Sequence, residues 1–344
     1  MADPLTRGSR GEGVRDLQAR LGVLGFRCDA DPTGVFGGAT EASVYAFQRD
    51  RGLRVDGVVG RHTWSSLVES GFSLGDRLLY FRQPLLRGDD VADLQRRLNT
   101  LGFDARRVDG LFGPETQRAL VEFQRSAGLV PDGICGPDAV AALDRVGGLA
   151  AGSVAAARER DALRRGPHRI EGRRIFVAAP PGLAVVGDNV ARGLTLARAV
   201  VVLDVSGDDE SVLARAANGF DADLYLGLAF GTGAPRCVHF ATTGFRSETG
   251  VVVADAVARQ LADELAESAA VVGAAYPVLR ETRMAAVVCE LVPSGDAPAL
   301  AAVVHRSGAV ARAVVRGVRQ AWERPTRDAP TRDDPPGGGA PPAG

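Results

Sequence analysis

Four histidines (His62, His168, His239, His305) and four cysteines (Cys28, Cys135, Cys237, Cys289) are the side chains best suited to hold a metal, and they are scattered along the chain. No pair has the short spacing of a zinc finger or an iron–sulfur site, where paired ligands are separated by only a few residues. The tightest grouping is Cys237 with His239, alternate residues of the apolar run Arg236-Cys237-Val238-His239-Phe240 and therefore on one face of a strand. With Glu290 they would form a small Cys/His/Glu site; the plainer reading of His239 is a hydrogen-bonded histidine inside a sheet. Cys289 immediately precedes Glu290, so strand geometry turns it to the opposite face and excludes it from any site built on Glu290. A carboxylate at a strand end is costly unless a cation neutralises it, and Arg280 and Arg283, just upstream, are the expected partners. The remaining histidines fall in helical stretches (His62, His305) or in a linker (His168).

The elements that would position these residues are legible from residue 173 onward. Apolar runs at 175–179, 199–203, 224–228, 238–241 and 285–291 alternate with helical patterns at 189–198, 210–218, 251–266 and 297–322. That alternation predicts an α/β domain around a mostly parallel sheet covered on both faces. The whole chain has 344 residues, 45% of them apolar, enough for two or three separate cores. Its 41 basic side chains are all arginine and are balanced by 42 acidic ones, for a net charge of -1. Such a balance gives no electrostatic footprint for nucleic acid or a polybasic membrane surface. The first twenty residues are charged throughout, unlike a secretory signal, and no apolar run approaches the roughly 18 residues of a membrane span. The expected compartment is the cytoplasm, with free thiols rather than disulfides.

The first half is a repeat. Residues 10–67 return as 87–143: Gly11, Val14, Leu17, Gln18, Leu21, Gly25 and Phe26 match Gly88, Val91, Leu94, Gln95, Leu98, Gly102 and Phe103. After a one-residue difference, Phe36, Gly37, Thr40, Phe47, Gln48, Gly52, Leu53, Asp56 and Gly57 match Phe112, Gly113, Thr116, Phe123, Gln124, Gly128, Leu129, Asp132 and Gly133. The spacing predicts three short helices per copy, with glycines ending the first two and Asp-Gly turns leading into the third. The boundaries expected are 8–70 and 84–146 for the two modules, 147–172 for a linker, 173–322 for the α/β domain and 323–344 for a tail.

These motifs carry a resemblance. Gly-x-x-Val-x-x-Leu-Gln followed by Asp109-Gly110-Leu111-Phe112-Gly113-Pro114-Glu115-Thr116 and Phe123-Gln124 resembles the peptidoglycan-binding three-helix module; the first copy has Pro32-Thr33-Gly34 before Val35-Phe36-Gly37 and so lacks the leading Asp. The module resemblance implies a peptidoglycan or muropeptide ligand, with Asp109, Gln124 and Arg125 as polar contacts. The order of pieces in the second half resembles the zinc N-acetylmuramoyl-L-alanine amidases, whose fold brings two His ligands, a carboxylate ligand and a catalytic Glu together. Here the first His position holds Pro181, the carboxylate ligand is represented by Asp188, the second His position holds Ala229, and Glu290 stands at the catalytic Glu position. Neither proline nor alanine can bind zinc, so no cofactor is expected; an active amidase with an unconventional zinc site is the alternative.

Leu79-Tyr80, Gly88 to Ala92, Asp132 to Pro137 and Leu279 to Met284 narrow the likeness to actinobacterial amidase-like regulators. That resemblance implies a cytoplasmic pseudoenzyme that is phosphorylated by a Ser/Thr kinase and then activates the UDP-N-acetylglucosamine enolpyruvyl transferase of cell-wall synthesis. The tail fits: its Pro- and Gly-rich composition cannot bury a core and reads as disordered, and Thr326, with Thr331 second, stands beside charged residues as a phosphorylation candidate.

Overall fold

The computed structural model describes residues 4–146, 169–243, 245–265 and 267–323. Module 1 is built from α1 (Glu12–Val23), α2 (Gly38–Asp50) and α3 (Arg61–Glu69), and module 2 from α4 (Asp89–Thr100), α5 (Pro114–Ser126) and α6 (Pro137–Val146). Each has its own core, with Val14, Leu17, Leu21, Val44, Phe47 and Leu67 in the first and Val91, Leu94, Leu98, Leu120, Phe123 and Leu143 in the second. The repeated Gly-Phe pairs end the first helix of each copy in the same way. Gly25 and Gly102 take the left-handed conformation, at φ 89° and 94°, and the next N–H bonds back to Leu21 or Leu98. That turn swings Phe26 and Phe103 onto Phe47 and Phe123, edge to face, with ring centroids 5.6 Å apart in both copies.

The repeated glutamines are internal clamps. Gln95 Nε2 donates to Asp109 Oδ1 (2.8 Å), Leu111 O and Thr116 Oγ1, while its Oε1 accepts from the Asp109 and Gly110 N–H groups. Gln124 does the same for the next loop, donating to Asp132 Oδ1 and Ile134 O and accepting from Gly133 N. In module 1, where the leading Asp is missing, Gln18 donates to the Pro32 main-chain oxygen instead, at a longer 3.3 Å.

The second half is the expected α/β domain. Its strands are β1 (Arg174–Ala178), β2 (Val200–Asp204), β3 (Leu224–Gly231), β4 (Arg236–Thr242), β5 (Phe245–Arg246), β6 (Ala270–Ala274) and β7 (Ala285–Pro293). They lie in the order β2-β1-β3-β7-β4-β5, with β6 beside β4. β1, β2, β3 and β7 are parallel, and β4 runs antiparallel to β7. One face packs on α7 (Ala184–Leu196), α9 (Glu248–Leu265) and α12 (Ser307–Trp322). The other packs on α8 (Glu210–Gly219) and the short α10 (Pro277–Glu281), and its apolar cluster also takes in Val108 of module 2. The single helix expected at 297–322 is two, α11 (Ala297–His305) and α12, divided at Arg306, whose guanidinium turns back to the main-chain oxygen of Glu264. The short β5, β6 and α10 carried no separate pattern in the sequence. No helix among the described residues is long and apolar enough to cross a membrane.

Replacing Gln95 by Ala orphans two loop N–H groups and three acceptors while opening a small void. The expected cost is roughly 2–4 kcal/mol of module 2 stability, measured by urea unfolding, with no comparable loss when exposed Arg118 is replaced.

Candidate functional site

The site lies where the parallel strands end. β3 and β7 pair with Ala229 opposite Glu290, and the register then slips so that Phe230 faces Val292. The extra residue is a bulge, a device that re-aims a neighbouring side chain. Up to it the alternation is regular: Ala286, Val288 and Glu290 face α8 and α10, whereas Val287 and Cys289 face α9 and α12. Cys289 therefore turns away from Glu290 as its position requires, and its Sγ lies 3.7 Å from Cys237 Sγ; both thiols are buried and free. His239 shares that face, with its Cβ against Gly250 of α9. Cys237 and His239 are thus separated from Glu290 by the sheet itself, and the Cys237/His239/Glu290 grouping does not form.

Glu290 is only 2% exposed, and three groups meet around its carboxylate. Arg236, directly opposite it on β4, donates Nε to Oε2. Tyr276 donates its hydroxyl to Oε1 at 2.9 Å. Arg54 approaches the same oxygen with Nη1 at 3.4 Å and donates Nε and Nη2 to Glu210 Oε1 at 2.9 and 2.7 Å. Its Nη1 also reaches the Phe230 main-chain oxygen at 3.2 Å, and the guanidinium sits 4.8 Å from the Tyr276 ring centroid. Two carboxylates and two guanidiniums balance in charge, the condition for keeping Glu290 ionised out of water. Burial works against the Arg54 cation, but the Glu210 carboxylate, Tyr276 and Glu290 more than offset it and raise its pKa above the ordinary arginine value. Burial and then the adjacent Glu290 carboxylate push the Tyr276 phenol well above its usual range, so it stays a donor.

Arg54 comes from module 1, from the turn after α2. Gly52 accepts a hydrogen bond from Ala275 N at 2.8 Å, and a Cβ on Gly52 would lie 2.9 Å from that nitrogen. The close approach brings the turn down onto the strand ends; Leu53 returns to the module core and Arg54 points into the domain. The partners expected for Glu290 go elsewhere, because α10 carries them away from β7. Arg280 donates Nε to Asp109 O and Nη1 to Glu69 Oε2 in the modules, and Arg283 is exposed, with its main-chain N–H on Asn218. Sequence separation hid Arg54, yet the repeat contained a signal. Gly52-Leu53-Arg54 aligns with Gly128-Leu129-Val130, and Val130 is 75% exposed, so the module itself needs no arginine there.

Of the polar positions proposed for ligand contact, Gln124 is buried and Asp109 is bonded to Gln95 and Leu111, with burial raising its pKa; their side chains close loops and do not present themselves to solvent. Arg125 is exposed. Thr326 and Thr331 lie outside the described residues.

Of the positions that the amidase resemblance assigns to zinc ligands, two carry no donor side chain. Pro181 opens an exposed 3-10 turn and Ala229 offers a methyl group beside Glu290. Asp188, on α7, is ion-paired with Arg192 one turn on. Among the described residues no group of three or more His, Cys, Asp or Glu is placed to hold a metal. A cavity of about 290 Å³ remains over the strand ends, walled by Asp204, Asp208, Glu210, Tyr225 and Phe230, with Arg54 at its edge.

Arg54→Ala removes the cation from Glu210 and leaves Glu290 with Arg236 and Tyr276. Since Arg54 keeps about a third of its side chain in water, the expected loss is about 1–3 kcal/mol, below that for a fully buried pair. Combining it with Glu290→Gln should cost less than the sum of the two, a coupling that denaturant unfolding of the four-member cycle measures. A second contact gives a pH signature. Asp209 caps α8 through Ser211 N and meets Arg61 (3.1 Å) and His62 (3.0 Å) of module 1. Burial would raise its pKa, but the Ser211 N–H, His62 and Arg61 together hold it below the ordinary value. Its contribution is therefore complete above the usual carboxylate pKa of about 4 and falls away as pH drops through the lowered one. Hydrogen exchange at α3 should accelerate across that window, and less so in Asp209→Asn, which keeps the cap.

The family model described as "Putative peptidoglycan binding domain" matches residues 10–67 and 87–143. CwlM of Mycobacterium tuberculosis, named as an N-acetylmuramoyl-L-alanine amidase, is 41% identical over 190 residues, covering 51% of this chain and 46% of that protein. The amidase CwlL of Bacillus licheniformis is 32% identical over 162 residues, 40% of this chain and 44% of that protein. The chain thus spans less than half the length of these curated relatives. Among solved structures, the amidase AmiC2 of Nostoc punctiforme aligns with 45% of this chain and 99% of its own at 16% identity and a TM-score of 0.39. The amidase Ami1 of Mycobacterium smegmatis aligns with 45% and 98% at 14% identity and a TM-score of 0.37. The chain is similar to CwlM over about half of its length and carries two modules that match the putative peptidoglycan binding domain, ahead of a mostly parallel α/β domain.

Proposed function

We propose that this chain is a non-catalytic, peptidoglycan-linked regulator that works in the cytoplasm and acts by contact with the UDP-N-acetylglucosamine enolpyruvyl transferase. The observation that carries the reading is the state of Glu290. Its carboxylate faces two guanidiniums and a phenol, its register partner on β3 is Ala229, and a Cβ on Gly231 would lie 2.7 Å from its Oε2. A hydrolytic zinc needs three protein ligands and an open water position, and a general base must be free to take a proton. Pro181 and Ala229 supply no ligand, and the Glu290 oxygens are taken up by Arg236, Tyr276 and Arg54. The fold is kept and the chemistry is not, which suits a protein read by its partners. The transferase, and a Ser/Thr kinase acting on Thr326, come to this chain from its resemblance to the amidase-like regulators.

The purified chain should take up far less than one zinc per molecule and release no stem peptide from muropeptides. Kinase-treated protein should co-purify with the transferase and raise its turnover, and Thr326→Ala should abolish both effects. Stoichiometric zinc together with muropeptide cleavage would overturn the proposal in favour of an active amidase.

A further inference from the structure

We infer that the pocket formed by Glu210, the Phe230 carbonyl, Glu290 and Tyr276, beside the open cavity at the strand ends, is a recognition site for a guanidinium, filled in cis by Arg54, and that module 1 is a releasable plug displaced by an arginine side chain of a partner polypeptide. It rests on the proposed function in one respect, that no metal claims Glu290.

Every wall of the site belongs to the α/β domain: the Glu210 carboxylate, the Phe230 carbonyl, the Glu290 carboxylate and the Tyr276 ring. The site therefore persists when module 1 leaves. Its geometry selects a planar, forked cation. Nε and Nη2 are spent on Glu210, Nη1 on Phe230 and Glu290, and an aromatic face lies beside the plane; an ammonium lacks both the fork and the flat surface. Asp204 and Asp208 line the adjoining cavity, together with Glu210, and add to the attraction for a cation.

Module 1 is held in a way that permits release. Its contacts to the domain and to module 2 are polar: Arg54 in the pocket, Arg61 and His62 on Asp209, Gly52 O on Ala275 N, Arg51 on Asp89, and Glu69 with Arg87 and Arg280. Its buried apolar residues pack among themselves, whereas Val108 and Ala92 of module 2 join the apolar cluster of the α/β domain. Polar, ionic contacts between domains are the weaker kind and are screened by salt; a shared apolar cluster is not. Module 1 should come away first while module 2 stays. The repeat shows that Arg54 serves the pocket rather than its module, since the second copy folds with Val130 at that place.

The test uses the full chain and the variant Arg54→Val, which installs the residue that the second copy carries. Binding of N-ethylguanidinium is followed by NMR shifts of Tyr276 and Phe230, with ethylammonium and sodium chloride at equal ionic strength as controls. Saturable binding in the millimolar range is expected for Arg54→Val, at least tenfold weaker in wild type and lost when Glu210→Gln is added. In wild type, an arginine-bearing peptide should lengthen the distance between labels on module 1 and α8, whereas its lysine counterpart should not. Equal guanidinium binding with and without Arg54, or no saturable binding to folded Arg54→Val, overturns the inference. Should Arg54→Val fail to fold, the peptide experiment on wild type decides alone, an unchanged distance being the contrary result. Muropeptide cleavage with zinc would instead overturn the proposed function, an outcome distinct from failed guanidinium uptake.

Discussion

A carboxylate buried to 2% exposure at the centre of a sheet has to be neutralised, and much of the chain is arranged around that requirement for Glu290. β4 runs antiparallel to β7, which brings Arg236 to the same level as Glu290. The segment before α10 supplies Tyr276, and the turn after α2 supplies Arg54. Glu210, at the start of α8, balances the second guanidinium. Two arginines supply the neutralising charge, one of them delivered from module 1.

The same logic explains how the modules sit. The sheet face that carries Glu290 is covered by only two helices of its own, α8 and the short α10, and the modules complete the cover. Arg107 of module 2 donates to the main-chain oxygens of Leu279, Thr282 and Met284, filling the unpaired carbonyls where α10 ends, and stacks on Phe240. Arg280 leaves α10 for Asp109 O and Glu69, and Arg87 joins Glu69 to Glu281. A Cβ on Gly110 would meet the Arg280 guanidinium at 2.9 Å, which explains why the loop is smooth there. The segment Leu279 to Met284 is thus the surface that module 2 grips.

What the sequence made legible follows from the range of each interaction. Periodicity and repeated glycines are local, so the six module helices and the long strands could be read directly, and strand alternation correctly turned Cys289 away from Glu290. The glutamines of the repeat were legible as matches but not as clamps, because their partners lie in loops that only the folded module closes. The pairing of Glu290 was legible as a need and not as a solution. Arg280 and Arg283 were near in sequence, but α10 turned them toward the modules, while Arg54 arrived from a turn on the far side of two domains. Cys237 and His239 shared a strand face as alternation requires; only the sheet register showed that it was the wrong face for Glu290. Short elements such as β6 and α10 left no periodic trace because five residues are too few to define one.

The central claim is that Arg54 and Arg236 hold the Glu290 carboxylate within the folded chain. The most direct measurement is nitrogen NMR of the arginine side chains at neutral pH. Two Nε–H signals should exchange slowly with water, the Arg236 signal moving sharply in Glu290→Gln and the Arg54 signal in Glu210→Gln. Arginine signals that all exchange as fast as those of exposed residues, unmoved by either substitution, would contradict it.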